Sequence, residues 1–235
     1  MTAQTGQAPA ERLPVSLRHA LVSALGLSAF TLAFTALMAF TYEATRERIA
    51  AAAEAQQMRL IDEILPRGQY DNALLKDAVT AAPGARVGRI WRARRANAPA
   101  ALIFETFAGD GYGGRIELIA SLGIDGKTGG ARVVSHKETP GLGDYIDPAR
   151  DRDKNAPWIG QFVGVDAPLP PARWDVKKDG GAFDQRTGAT VSARAVTRAL
   201  GQGFAWVATR REAIFSAPAD TVIGADAQVE QTHRQ

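Results

Sequence analysis

Between Asp184 and Thr190 the chain reads Asp-Gln-Arg-Thr-Gly-Ala-Thr, two hydroxyls and a glycine just ahead of a run with helical periodicity. In that run Val191, Ala195 and Ala199 recur every four residues, with Val196, Leu200, Gly203 and Val207 beside them, as one buried helical face requires. The spacing predicts a helix from Thr190 to about Phe215. Upstream, Trp174-Asp175-Val176 reads as a strand, Lys178 to Gly181 as a tight turn and Phe183 as a short return, so the stretch lies at a strand–glycine–helix junction. Such a junction gathers the unpaired N–H groups of a first helical turn at the positive end of the helix dipole, which favours an anion. A threonine there has two uses. Its hydroxyl can cap the helix, or it can carry a phosphoester whose anionic oxygens lie among those amides, with Arg186 lowering the cost of the charge. Spacing does not choose between them.

Composition removes other chemistry. There is no cysteine, hence no thiolate metal site, iron–sulfur ligation or disulfide. No metal site is expected, and redox chemistry would need a cofactor held by other means. The histidines are His19, His136 and His233; only His136 is placed to act as a base and no orienting pair is visible, which argues against a hydrolase. The net charge is +3 with the arginines scattered, so no nucleic-acid partner is expected.

The elements that must position the stretch follow in order. Residues 1–19 read as a short lead-in. Ala20 to Tyr42 is an uncharged run of 23 residues, at about 1.5 Å per residue roughly 35 Å, enough to span a bilayer core. It is too long for a signal-peptide core, so a retained anchor is expected. Arg12 and Arg18 before it and Arg46, Arg48 and Arg59 after it leave its orientation open. From residue 43 to 66, Ile49, Ala53, Gln57, Leu60, Ile61 and Ile64 predict an amphipathic stalk helix closed by Pro66. A single domain over 67–215 and a flexible tail over 216–235 complete the division.

Within the domain, Val87–Trp91 and Ala101–Phe104 read as strands joined by a turn at Asn97–Pro99. The glycines at 109, 111, 113 and 114 imitate a dinucleotide loop, but a strand follows instead of a helix. In that strand Ile116, Leu118, Ala120, Leu122 and Ile124 alternate with Arg115, Glu117 and Ser121, giving one buried and one wetter face. Asp125-Gly126 turns the chain back along Arg132 to His136. The residues His136 to Gly143 then form a polar turn around Pro140-Gly141. Trp158 to Phe162 is apolar and assignable to neither helix nor strand, with Trp158 read as core.

Asp-x-x-Thr-Gly-Ala-Thr at Asp184 to Thr190 resembles the flavinylation motif of the FMN-binding domains in ion-pumping respiratory complexes. His-Lys-Glu-Thr-Pro-Gly-Leu-Gly at His136 to Gly143 resembles their second signature, a loop lying close to the flavin. The run from Trp174 through Gly181 into Phe183-Asp184-Gln185 is most similar to the family of G subunits of Rnf electron-transport complexes, whose relative is the C subunit of the sodium-pumping NADH:quinone reductase.

The resemblance covers most of the chain and implies an α+β fold: one transmembrane helix, a stalk helix, then an antiparallel-sheet FMN-binding domain with a C-terminal helix. It implies FMN joined through its phosphate to the hydroxyl of Thr190, with Asp184, Thr187, Gly188 and Ala189 in the attachment stretch. His136, Glu138, Thr139, Pro140, Gly141, Leu142 and Gly143 would lie beside the flavin, Glu138 and Thr139 offering hydrogen bonds to its edge. Asp184 would alternatively be read by the ApbE-family flavin transferase that attaches FMN. The implied role is electron transfer within a redox-driven ion-translocating oxidoreductase working between ferredoxin and NAD, alongside other membrane and redox subunits and without independent turnover. The implied location is the bacterial inner membrane, single-pass, with a cytoplasmic N-terminus and a periplasmic domain. One span with no acidic residue in it cannot build an ion path alone. Two rival readings are the C subunit of the sodium pump and a membrane-anchored adaptor whose Thr-Gly-Ala-Thr is only a helix cap.

Overall fold

The apolar run belongs to one helix, α1 (Val15–Ile64). The structure is a computed structural model and describes residues 15–224; most of the expected lead-in and the tail beyond residue 224 lie outside the described residues. Two compact units divide the chain, Met1–Ala55 and Gln56–Gln235. In the first, α1 is long and apolar enough to cross a membrane, and side chains such as Leu25, Phe30, Leu32 and Phe40 are exposed all round it. Threonine hydroxyls are satisfied within the helix, Thr31 donating to the Leu27 carbonyl and Thr41 to the Leu37 carbonyl, both at 2.8 Å. Lipid cannot supply that partner, so self-bonding suits a hydrocarbon setting.

The second unit is built on a six-stranded sheet: β1 (Ala78–Ala81), β2 (Val87–Arg95), β3 (Ala98–Gly111), β4 (Gly114–Gly123), β5 (Thr128–Ser135) and β6 (Val222–Ile223). The order is β5-β4-β3-β2-β1-β6, antiparallel except for the parallel pair β1–β6. The β2–β3 hairpin closes through Ala96 and Asn97, both at positive φ (47° and 64°), the twist that a two-residue connection needs. Register pairs Phe104 with Ala120 and Glu105 with Ile119, which sorts one face from the other.

One face carries α2 (Thr190–Thr209). Ile90, Leu102, Phe104 and Leu118 pack with Val196, Leu200, Phe204 and Val207 in one buried cluster, and the Phe104 and Phe204 rings meet edge to face at 5.3 Å. Two glycines let the helix come this close. A Cβ on Gly203 would fall 2.8 Å from Phe104, and one on Gly201 would run into Trp174. The opposite face is covered by the last turns of α1: Ile61, Ile64 and Leu65 join Trp91, Ile103 and Ile119 in a second cluster. Ser121 donates to the Ile64 carbonyl at 2.7 Å, satisfying an orphan acceptor of the helix end, and Arg132 pairs with Glu63 at 2.6 Å.

Several elements differ from the pattern read in the sequence. The strand β4 is buried on both faces from Leu118 to Leu122, because α1 covers what alternation marks as the wetter side. Within the stalk pattern Ile49 is exposed while Ile61 and Ile64 are buried. Trp174–Val176 is not a strand: 3-10 turns at Pro171–Arg173 and Lys177–Asp179 flank it and leave a single parallel bridge, Val176 to Phe183. The recurrence in α2 begins at Ala195, since Val191 is 41% exposed. The helix expected to reach Phe215 breaks at Arg210 and resumes as α3 (Arg211–Ser216); just before the break, the Thr209 hydroxyl turns back to the carbonyls of Ala205 and Trp206. The first part of the expected flexible tail is ordered instead. Asp220 and Ala82 donate to Ala78 and Ile223 carbonyls at 2.7 and 2.8 Å, which adds β6 to the sheet edge. Arg92, only 3% exposed, pairs with Asp77 and donates to the Ile214 carbonyl at 3.0 Å, fastening the end of α3.

Gly201→Ala is expected to destabilise the sheet domain by about 1–3 kcal/mol, read as a lowered denaturation midpoint in urea, because the new methyl has no space beside Trp174. An unchanged midpoint would show that α2 is not so closely seated.

Candidate functional site

The helix α2 starts at Thr190, as its sequence requires, but it starts without a side-chain cap. The cap position is Ala189 (φ −133°, ψ 43°), and no side chain hydrogen-bonds the first-turn amides there. Neither Thr187 nor Thr190 is spent in capping. Ahead of it, Arg186 to Ala189 form a turn closed by the Ala189 N–H on the Arg186 carbonyl at 3.2 Å. Gly188 occupies the third place with φ +86°, a conformation that glycine adopts without a steric penalty. Thr187 and Gly188 are exposed, Ala189 buried and Thr190 half-buried.

Four partners from distant segments hold this stretch. Asp184 is clamped through its backbone: its N–H donates to Gln161 Oε1 at 2.7 Å and its carbonyl accepts from Trp158 Nε1 at 2.6 Å. Its carboxylate faces outward, 2.7 Å from Lys177 Nζ. The Arg186 guanidinium pairs with Asp151, a fully buried carboxylate that also accepts the Trp158 N–H at 2.7 Å. The Tyr145 hydroxyl donates to the Ala189 carbonyl at 3.0 Å and accepts the Arg186 N–H at 3.2 Å. Burial raises the Tyr145 phenol above its ordinary value, opposed by Arg186, which keeps it a donor at neutral pH. Trp158 is core, 7% exposed and edge to face with Tyr145 at 5.5 Å, in a five-residue 3-10 turn. Arg186 spends its charge on Asp151, so it is not a free cation for a phosphate.

The loop His136–Gly143 abuts the same helix end. Glu138 is 4% exposed; it accepts the Gly113 N–H at 2.9 Å from the β3–β4 hairpin tip and the Ser192 hydroxyl from the first turn of α2. A Cβ on Gly143 would collide with Ser192 Oγ, and one on Gly113 with the Lys137 carbonyl, so three segments converge at van der Waals distance. Glu138 thus faces inward. The His136 ring is held within its own loop: its Nδ1 accepts the Glu138 N–H at 3.1 Å and its Nε2 lies 4.0 Å from Asp147. Thr139, Pro140, Gly141 and Leu142 are exposed, with Thr139 accepting the Leu142 and Gly143 N–H groups at 3.1 Å and Gly141 at φ +74°. A cavity of about 590 Å³ opens on the Asp184 side, lined by residues including Pro157, Gly160, Gln161, Gln185 and Arg186. Another, of about 460 Å³ around Phe107 and Arg115, touches none of the candidate residues.

Tyr145, Asp151, Gln161, Ser192 and Gly113 escape a reading of the sequence, because their bonds join positions 23 to 54 residues apart and leave no local spacing. The glycine-rich hairpin was the available signal: it is not a nucleotide loop, but its glycines are required where another backbone approaches.

An open turn that delivers a threonine to an uncapped helix end, on a sheet domain that follows a membrane-length helix, fits an anchored domain for a phosphate-bearing cofactor. The FMN-binding domain family matches residues 111–204, which span the hairpin, the loop and most of α2. The RnfG N-terminal region matches residues 16–64, nearly all of α1. The G subunit of the ion-translocating oxidoreductase complex of Pseudoalteromonas atlantica is 42% identical over 197 residues, 81% of this chain and 89% of that one. The proteins of the same description from Yersinia pestis and Pseudomonas aeruginosa are each 40% identical, covering 78% and 85% of this chain and 86% and 94% of theirs. The chain belongs to the family of G subunits of ion-translocating oxidoreductase complexes.

Glu138→Ala is expected to cost about 1–3 kcal/mol, since it strands the Gly113 N–H and Ser192 hydroxyl. Equilibrium denaturation followed by circular dichroism reads this directly, and a loss below about 0.5 kcal/mol would mean that the convergence is held by packing alone.

Proposed function

We propose that the chain carries FMN as a phosphoester on the Thr190 hydroxyl and serves as the flavin-bearing electron-transfer subunit of an ion-translocating oxidoreductase complex. The observation that carries this reading is the uncapped first turn of α2, with Thr190 standing first in the helix. Its amides and dipole suit a phosphate, and the esterified oxygen would be Thr190 Oγ1. When bound, FMN supplies a group that takes up and releases electrons. The chain's own residues hold and orient it. Gly188 lets the turn reach the helix end, while Leu142 and Val191, both more than 40% exposed, are apolar surface that a flat ring could cover. Thr139 and Gly141 are exposed, so a ring edge could approach them.

Ester formation makes an Oγ1–P bond as a P–O bond of an activated flavin nucleotide breaks, the hydroxyl proton leaving with the departing group. The outward carboxylate of Asp184 on its clamped backbone supports a role in recognition by the ApbE-family flavin transferase. The other subunits of the complex would be the redox partners, with ferredoxin and NAD at its ends. The domain would stand on the periplasmic face of the inner membrane.

Mapping the tryptic peptide Thr187–Arg194 from cells that contain the transferase is expected to give a mass higher by one FMN less one water, with fragmentation locating it on Thr190. Thr190→Ala should abolish in-gel flavin fluorescence, and an unmodified wild-type peptide would remove the proposal. Because the chain has no cysteine, Asp166→Cys gives a single reporter of sidedness. A membrane-impermeant maleimide should label it in intact spheroplasts, whereas labelling only after lysis would put the domain in the cytoplasm.

A further inference from the structure

Tyr145 belongs to a 3-10 turn, Asp144–Ile146, that directly follows the His136–Gly143 loop. It is 3% exposed, yet its hydroxyl reaches the exposed turn ahead of α2 and touches both ends of it. The Arg186 N–H donates to it at 3.2 Å, and it donates to the Ala189 carbonyl at 3.0 Å. Between these two anchors lie only Thr187 and Gly188. The Arg186 guanidinium lies over the Tyr145 ring at 5.0 Å and is fixed from its far side by Asp151. The ring itself is braced by Trp158, which is braced by Phe162 at 5.3 Å. A rigid aromatic stack in the core therefore ends in one hydroxyl that sets the path of a surface turn.

We propose that Tyr145 is the positioning residue of the flavin attachment site. By holding Arg186 and Ala189 it fixes the path of the turn that leads into α2, and so where Thr190 Oγ1 points. This rests on the reading that Thr190 carries FMN. A turn without the hydroxyl keeps its own Ala189 to Arg186 bond and its glycine, but it can pivot about that bond. Attachment chemistry depends steeply on the placement of the attacking oxygen, and a pivoting turn also frees the attached ring.

The test uses the full-length protein in detergent, co-expressed with the transferase, comparing wild type, Tyr145→Phe and Tyr70→Phe. Tyr70 is a control that loses a hydroxyl bonded elsewhere, to Asp62 at 3.3 Å. Mass mapping over time reads attachment, and polarised flavin fluorescence reads ring mobility on the attached fraction. Tyr145→Phe is expected to attach flavin about tenfold more slowly, a misplacement well under 1 Å by the usual sensitivity, and to show lower anisotropy with unchanged near-ultraviolet circular dichroism. Tyr70→Phe should match wild type.

Wild-type attachment rate and anisotropy in Tyr145→Phe would overturn the assignment while leaving the Thr190 reading intact. An unmodified wild-type peptide would overturn both. Should Tyr145→Phe fail to fold, amide exchange in the wild-type protein decides: the Arg186 N–H is expected to exchange at least about tenfold more slowly than its free-peptide rate, and exchange at that free rate overturns the proposal.

Discussion

A carboxylate removed from water is costly unless dipoles or charges surround it, and Glu138 is met by two groups from segments far apart in the sequence. The Gly113 amide arrives from the tip of a hairpin and the Ser192 hydroxyl from the opening turn of a helix. Neither of these two partners carries a charge. What stabilises the group is hydrogen bonding together with its position at the positive end of α2. Because the cost of stranding it is large, hairpin, loop and helix must arrive together, and this makes the helix entrance a fixed point of the fold.

That arrangement divides the anion-attracting capacity of one helix end. Glu138 engages the Ser192 side chain on the buried side, while Thr190 and the exposed Thr187-Gly188 pair lie on the wet side. A phosphate on Thr190 would share the dipole with an existing carboxylate. Water screens the two from each other on the exposed side, and the remaining first-turn amides, uncapped by any side chain, are left to the newcomer. Arg186 does not intervene, since Asp151 consumes its charge in the interior. The positive contribution at the site is therefore that of the backbone.

Much of this was legible in the residues. The glycine–alanine–threonine run marks a helix entrance by local conformation alone, and it falls where the helix begins. The hairpin at Asp125-Gly126 follows from turn chemistry in the same local way, whereas the turn read at Asn97–Pro99 closes earlier, at Ala96-Asn97, with Pro99 paired inside β3. Contacts across the fold leave no such mark. Whether Ser121 faces water or the end of α1 depends on an element some sixty residues upstream, and alternation reports only that one face is polar. Val191 fits the helical period but stays 41% exposed on the first turn, so periodicity overextends at the very end that matters. Tyr145 and Asp151 sit in segments with no regular spacing, and their importance comes from what they reach.

An ester linkage is the natural counterpart of so open a site. Leu142 and Val191 are exposed, and the residues lining the cavity on the Asp184 side do not include Thr190. Free FMN settling there would lose translational and rotational freedom worth at least about 4 kcal/mol against few buried contacts. A covalent bond makes the encounter intramolecular, so weak contacts suffice to orient the ring. Enclosure would achieve retention too, but it would bury the group that partners must approach. With no thiol in the chain, a hydroxyl at a helix entrance is an anchor whose charged product is well tolerated.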